Sequence, residues 1–309
     1  NTAGTAIDDG TPGVGGNLIT ASKLALSAVG GIDVNLAVAL VAAASTTSQN
    51  IRIDDTSTTD VSTFGGVTGI STTDGTVTLV SGGTITLSSA ITGGNSGAVS
   101  LTSTAGQIND GANDATANIT TGGAVSLTAA SGIGVSNGTV DLDVVTVTLA
   151  TSGTGGVALN LLDGNNGGVG STAITATASG DITVEATTGT NTFTFTTVTA
   201  ANGTITLSSA LGDITAVALT TSNTADKNIV VTVSAANQLF THASGAIATN
   251  GGDITISADQ ITLSGGTIAS VAGDVRLRPT DTATVIDIGA GAADSASTLG
   301  LTDAELNTI

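Results

Sequence analysis

The chain has no cysteine, methionine, tryptophan or tyrosine, and its 309 residues include only two prolines, one histidine and four phenylalanines. The lack of cysteine fits an extracellular protein that does without disulfides. Without tryptophan or tyrosine there is no aromatic girdle for an outer-membrane barrel, and no such ring to stack against a sugar. The longest uninterrupted apolar run, Leu36 to Ala44, falls well short of the roughly 20 residues of a spanning helix. Positive charge is scarce too: 5 Lys and Arg face 24 Asp and Glu, a formal net charge of -19. A phosphate backbone or an anionic bilayer would be repelled. Nucleic-acid partners and membrane insertion are therefore not expected.

What is abundant is Gly, Ala, Val, Ile, Leu, Ser and Thr, arranged with a rhythm. The phrase GTITLSSA occurs at Gly83 to Ala90 and again, unchanged, at Gly203 to Ala210. In it Ile and Leu alternate with Thr, so apolar side chains point to one face of a strand and hydroxyls to the other. Looser versions begin at Gly75, Gly97, Gly123, Gly180, Gly212, Gly252 and Gly273. Disorder is disfavoured because such segments are low in mean hydropathy, whereas the mean hydropathy here is positive.

Intervals of about 20 to 26 residues with several short strands inside each are the mark of a solenoid. A sandwich would want a turn signal beside every strand and a larger aromatic share in its core. Small β-branched residues suit a narrow core in which each coil stacks about 4.8 Å from the last. The fold expected is all-β, a parallel β-helix or β-solenoid of about 14 coils over 1–309, with no linker or shift in composition to mark a domain boundary. The leading glycines are expected to permit unusual backbone angles at corners. Thr302, three residues before Glu305, predicts one short helix near Asp303 to Leu306 through a capping box.

The stretch LTAASGIGVSNGTVDLDVVTVTLATSGTGGVAL at 127–159 and the tail TLGLTDAEL at 298–306 resemble the repeat regions of filamentous-haemagglutinin-like proteins and other very large bacterial surface proteins. The resemblance implies a right-handed parallel β-helix, bacterial export in unfolded form, and a role in adhesion or an extracellular matrix. The absence of an initiator Met or signal peptide reads as a processed piece of something longer.

Chemistry is sparse. His242, in LFTHASG, has no Ser or Cys constellation around it in sequence and is expected on a loop or coil surface. β-Helical polysaccharide lyases and hydrolases use carboxylates with basic residues or paired acids, and so few basic residues argue against an enzyme. Calcium is the better candidate cofactor because it takes oxygen ligands. The candidate ligand clusters are Asp8 with Asp9; Asp54, Asp55 and Asp60; Asn109, Asp110 and Asp114; and Asp141 with Asp143. The alternative is that these residues form turns and supply solubilising charge. The sequons at Asn118, Asn137 and Asn202 matter only in a eukaryotic secretory route. An ice-binding threonine ladder is interrupted, since Ala98 with Ser100 and Asp274 with Arg276 take the places of Thr84 with Thr86.

Two functions are compatible with this. One is a secreted structural segment that forms a stalk, fibre or surface layer by self-association through strand edges, alone or within a longer parent chain. The other is an adhesin shaft that binds a glycan or cell-surface receptor through corner loops such as Thr221 to Lys227 or Leu162 to Gly170.

Overall fold

The computed structural model describes residues 6–9, 18–136, 138–162, 172–223 and 225–309. Most of the turn-rich opening, Asn137 and nearly all of the loop Leu162 to Gly170 therefore lie outside the described residues. The chain is an all-β parallel solenoid of about 12 turns, where the repeat spacing implied about 14. It divides into two compact units, whose described residues meet at Leu159 and Asn160.

In the first unit the coils build three faces, with long strands such as Ile32–Ser45, Ile119–Ala129 and Val140–Thr151 running across more than one of them. One face stacks Ile32, Ile51, Val77, Val99, Val125 and Val147 in register. Val34, Ile53, Leu79, Leu101, Leu127 and Leu149 form the next inward column. The second face carries Ile85, Ile108, Ile133 and Val157. The third carries Ala43, Ile70, Ile91, Ile119 and Leu142. Like sits on like because alternation sends every second residue inward and the parallel register repeats that choice coil after coil. Among the described residues the one antiparallel strand pair is Thr63–Phe64 with Val67–Thr68. Its two-residue turn is Gly65-Gly66, with φ of 60° and 83°, the left-handed pair that tight hairpins demand.

The second unit repeats the plan. Ile182, Ile205, Ile229, Ile254 and Val275 stack on one face. Ala176, Val198, Leu219, Ile247 and Ile268 stack on another. The remaining face holds three of the four phenylalanines: Thr172, Phe193, Ile214, Phe240 and Ile261 form one column. Phe195, Ala216, His242 and Leu263 form the column beside it. Ala216 between Phe195 and His242 gives the large rings room, as close packing requires.

The leading glycines serve a purpose other than the one their sequence context suggests. Gly97, Gly123 and Gly203 have no left-handed φ. They are there because consecutive coils touch at the corner. A Cβ on Gly203 would lie 2.2 Å from the Gly180 carbonyl carbon, one on Gly97 2.2 Å from the Gly75 carbonyl oxygen, and one on Gly123 2.5 Å from the Gly97 oxygen.

The final segment closes part of the second unit's end. The helix Asp303–Leu306 forms where the capping box placed it: Thr302 Oγ1 accepts the Glu305 N–H, and Glu305 accepts the Thr302 N–H. The strand Thr298–Leu301 buries Leu299 and Leu301. The N–H groups of the last coil, which would otherwise face another strand, find acceptors here. Ile261 donates to the Asp294 carboxylate, Leu263 to Glu305 Oε1 at 3.1 Å and Ile268 to the Thr308 carbonyl at 2.8 Å.

Candidate functional site

The ten candidate calcium ligands fall into four settings. Asp8 lies in register with Asp33, and Asp33 with Arg52. Asp9 Oδ2 accepts both the N–H and the Nδ2 of Asn35, at 2.8 and 2.6 Å. Asp54 pairs with Arg52 at 2.8 Å. Burial pushes the Asp33 carboxyl above its ordinary value; Arg52 opposes that shift, while Asp8, Asp9 and Asp54 reinforce it. The Arg52 guanidinium thus pairs with Asp54 and acts on Asp33, and a hollow of about 380 Å³ is lined by Asp8, Asp33, Asn50 and Arg52 among others. Asp33 belongs to this group although sequence reasoning left it out.

Asp55 and Asp60 belong elsewhere. Asp55 faces the core, 3% exposed, and its Oδ1 accepts the N–H and Oγ of Ser57 at 2.8 Å each. Asp60 lies in register with Leu40 and Thr86. Asp55 Oδ2 and Asp60 Oδ1 are buried and have no hydrogen-bond partner.

The third setting is the corner 109–118. Asp110 continues the inward column, opposite Leu87. Its Oδ1 accepts from the Ala112 N–H and from Asn118 Nδ2, each at 2.9 Å. Asn118 is itself 5% exposed, and its Oδ1 accepts the Asp141 N–H at 2.8 Å. One buried amide therefore ties Asp110 to the backbone of Asp141 in the following coil. Asn109 donates to Gln107 Oε1 at 3.2 Å, and the exposed Asp114 accepts the Thr116 N–H at 2.8 Å. Asn109 Oδ1 and Asp110 Oδ2 are buried without a hydrogen-bond partner. The fourth setting is Asp143, outward in register with Thr120. Among the described residues no group of three or more His, Cys, Asp or Glu is arranged to hold a metal ion.

Many acidic and amide side chains have a common structural use. Asp9, Asn50, Asp74, Asp181, Asp213, Asn228 and Asp253 each accept the backbone N–H of a residue one coil further on. Corner backbone has no strand partner, so these oxygens supply the acceptors it lacks. The sequence reading of Asp as a turn former is thereby extended, because the turn served is the next coil's.

His242 is a correction. It is not on a loop or coil surface: it is 0% exposed, on the same inward parity as Phe240, in register with Leu263. Its Nδ1 is 2.8 Å from the Ala216 carbonyl oxygen, while Nε2 has no partner. The signal was present in LFTH, where a two-residue step from Phe240 reaches His242 on the same face. Asn118, read in sequence only as a sequon, is buried and structural. Asn202 remains exposed, and Asn137 lies outside the described residues.

Neither a protein-family model, a curated protein nor a solved structure matched this chain. Among the described residues no helix is long and apolar enough to cross a membrane. Chemically, the acidic group around Arg52 attracts cations by its net charge, while the buried oxygens at Asp110 and Asn118 hold coils together.

Proposed function

We propose that this chain is a non-enzymatic structural protein of the bacterial cell surface or exterior, a β-solenoid segment that self-associates into a stalk, fibre or layer. One observation carries the reading. The ten-residue strand Ile19–Ala28 pairs with Ile32–Ser45 along one side, and no other pairing of it occurs among the described residues. A strand paired along one side within the described residues can take a further strand on the other, from a second copy or from a longer parent chain. The use of Asp and Asn as acceptors for neighbouring coils supports a structural role over a catalytic one. The fold agrees with the β-helical repeats that the sequence resembles, and the bacterial exterior comes from that resemblance. Calcium enters this proposal as a bridge between acidic surfaces.

Electron microscopy of the native protein, with calcium and after chelation, tests the reading. Filaments or sheets are expected. Their loss on chelation would assign the acidic group at Asp8, Asp9, Asp33 and Asp54 to bridging. Discrete particles under both conditions would sink self-assembly and favour an adhesin shaft that binds a glycan or receptor.

A further inference from the structure

Only five residues of this chain are basic, and most stand beside a partner. Arg52 is paired with Asp54, Arg276 with Asp253 and Asp274, and Lys23 lies 5.9 Å over the Phe64 ring. Arg278 is different. Its Nε donates to Ser257 Oγ at 2.9 Å, and no carboxylate pairs with it among the described residues. It stands at one end of an outward column in the second unit, Glu185, Ser208, Thr232, Ser257, Arg278, held in unbroken parallel register. Four strands away in the same column is Glu185, which is exposed and has no cationic partner among the described residues. The column beside it runs Thr183, Thr206, Val230, Thr255, Arg276. Between the two charges the face carries only hydroxyls and one valine.

We propose that this face is a self-association surface for a second copy of the same chain, packed face to face with the coil order reversed. Resting on the self-association reading above, the proposal names the surface and the partner. A two-fold axis along the strand Ile229–Val233 reverses the stack but keeps each column opposite itself. Thr232 then meets Thr232 of the second copy and Val230 meets Val230, while Ser208 comes opposite the position of Ser257, which is itself buried and bonded to Arg278 Nε. Glu185 of each copy meets Arg278 of the other, so both unpaired charges are satisfied twice by one symmetry operation. With strands about 4.8 Å apart, the two charges are about 19 Å apart along the column. A hollow of about 470 Å³, lined by Thr232, Ser257, Arg278 and the segment 279–282, receives the incoming carboxylate. In a chain of net charge -19, a face that is neutral in its middle and opposite in sign at its ends is where two copies approach with least repulsion.

The contact is small. Five strands of about five residues span about 400 Å² per copy, under the roughly 800 Å² per partner of a standard stable interface. A single pair is therefore weak and reversible, and the surface gains strength when many copies are held together.

Analytical ultracentrifugation of the full chain, taken up to about 1 mM and at low and high salt, tests this. The wild type is expected to form a concentration-dependent dimer that weakens with salt. Glu185→Arg and Arg278→Glu each turn two attractions into two repulsions and should lower the association constant about tenfold or more. The double variant should restore it. Wild-type association that neither single variant weakens, or that the double variant fails to restore, overturns this surface but leaves self-association standing through another one. A chain that stays monomeric throughout, with and without calcium, overturns both.

Discussion

The same eight residues, GTITLSSA, have different outcomes in the two units. In the first, the strand is Ile85–Leu87, three residues long; in the second it is Ile205–Ser209, five residues long. The neighbours account for the difference. The first copy lies between Thr59–Val61 and Gln107–Asp110, which offer short ladders ending at the Asp110 corner. The second lies between Ile182–Ala186 and Ile229–Val233, which offer five in-register partners. Identical local preference is extended or cut short by the stack it joins.

The units also fill their interiors differently. The second uses Phe193, Phe195 and Phe240, all at most 1% exposed, on one face. The first has no buried phenylalanine among its described residues, and brings Asp55, Asp110, Asn118 and Asp141 inside. A solenoid corner can be filled by rings or by polar side chains that bond the backbone, and the second choice leaves oxygens such as Asp110 Oδ2 unpaired.

The largest effect that bears on this contrast is expected at the rings. Phe240→Ala should destabilise the second unit by about 3–5 kcal/mol, read by urea unfolding, with hydrogen exchange in the stack around Ile214 and Ile261 rising before any change near Asn118. A smaller loss restricted to the first unit would mean that the rings do not define the second unit's core.

Removal of the polar tie comes next. Asn118→Ala leaves Asp110 Oδ1 and the Asp141 N–H each short of a partner, and should cost about 1–3 kcal/mol. Amide exchange should quicken at 109–118 and at Asp141. No change in stability would show that the corner is held by its backbone alone.

The twin octapeptides allow a sharper comparison. In Gly203→Ala the new methyl meets the Gly180 backbone at 2.2 Å, whereas in Gly83→Ala the nearest atom, at 2.4 Å, is the rotatable Thr58 Oγ1. The Gly203 change is expected to cost about 1–3 kcal/mol and the Gly83 change less. Equal costs measured by paired melting curves would refute the idea that stacking context sets each glycine's constraint.

The smallest effect is a pH dependence at the closed end of the second unit. Burial pushes the Asp294 carboxyl above its ordinary value; the Gly300 N–H opposes this, Glu305 raises it further and the Ile261 N–H lowers it. The folded state then holds this proton more tightly than the unfolded chain does. Its contribution to stability is full below the ordinary carboxylate value and is lost as pH rises through the raised one. Asp294→Asn should flatten that part of the stability profile. A mutant curve that runs parallel to the wild type across the window would remove Asp294 from the account.

Much of this was legible in the residues. Alternation in GTITL and GAVSL fixed which side chains face inward, the recurrence of the phrase fixed stacking, and Thr302 with Glu305 fixed the helix. The candidate site was less legible because Asp in a corner segment has two fates of similar local appearance. Parity separates some of them: Ile51, Ile53 and Asp55 share a face, as do Ile108 and Asp110. The link from Asp110 through Asn118 to Asp141 could not be read, because it depends on which coil lies above which corner.

The carboxylate-closed end bears on how such a molecule lengthens over evolutionary time. A duplicated coil inserted among the register-matched strands finds like columns above and below it, and disturbs little. One added beyond Ile268 must first evict Asp294, Glu305 and the Thr308 carbonyl from the N–H groups they occupy. Growth by gene duplication is thus tolerated in the interior of the second unit and resisted at its sealed end, so new coils are inherited as insertions rather than as extensions there.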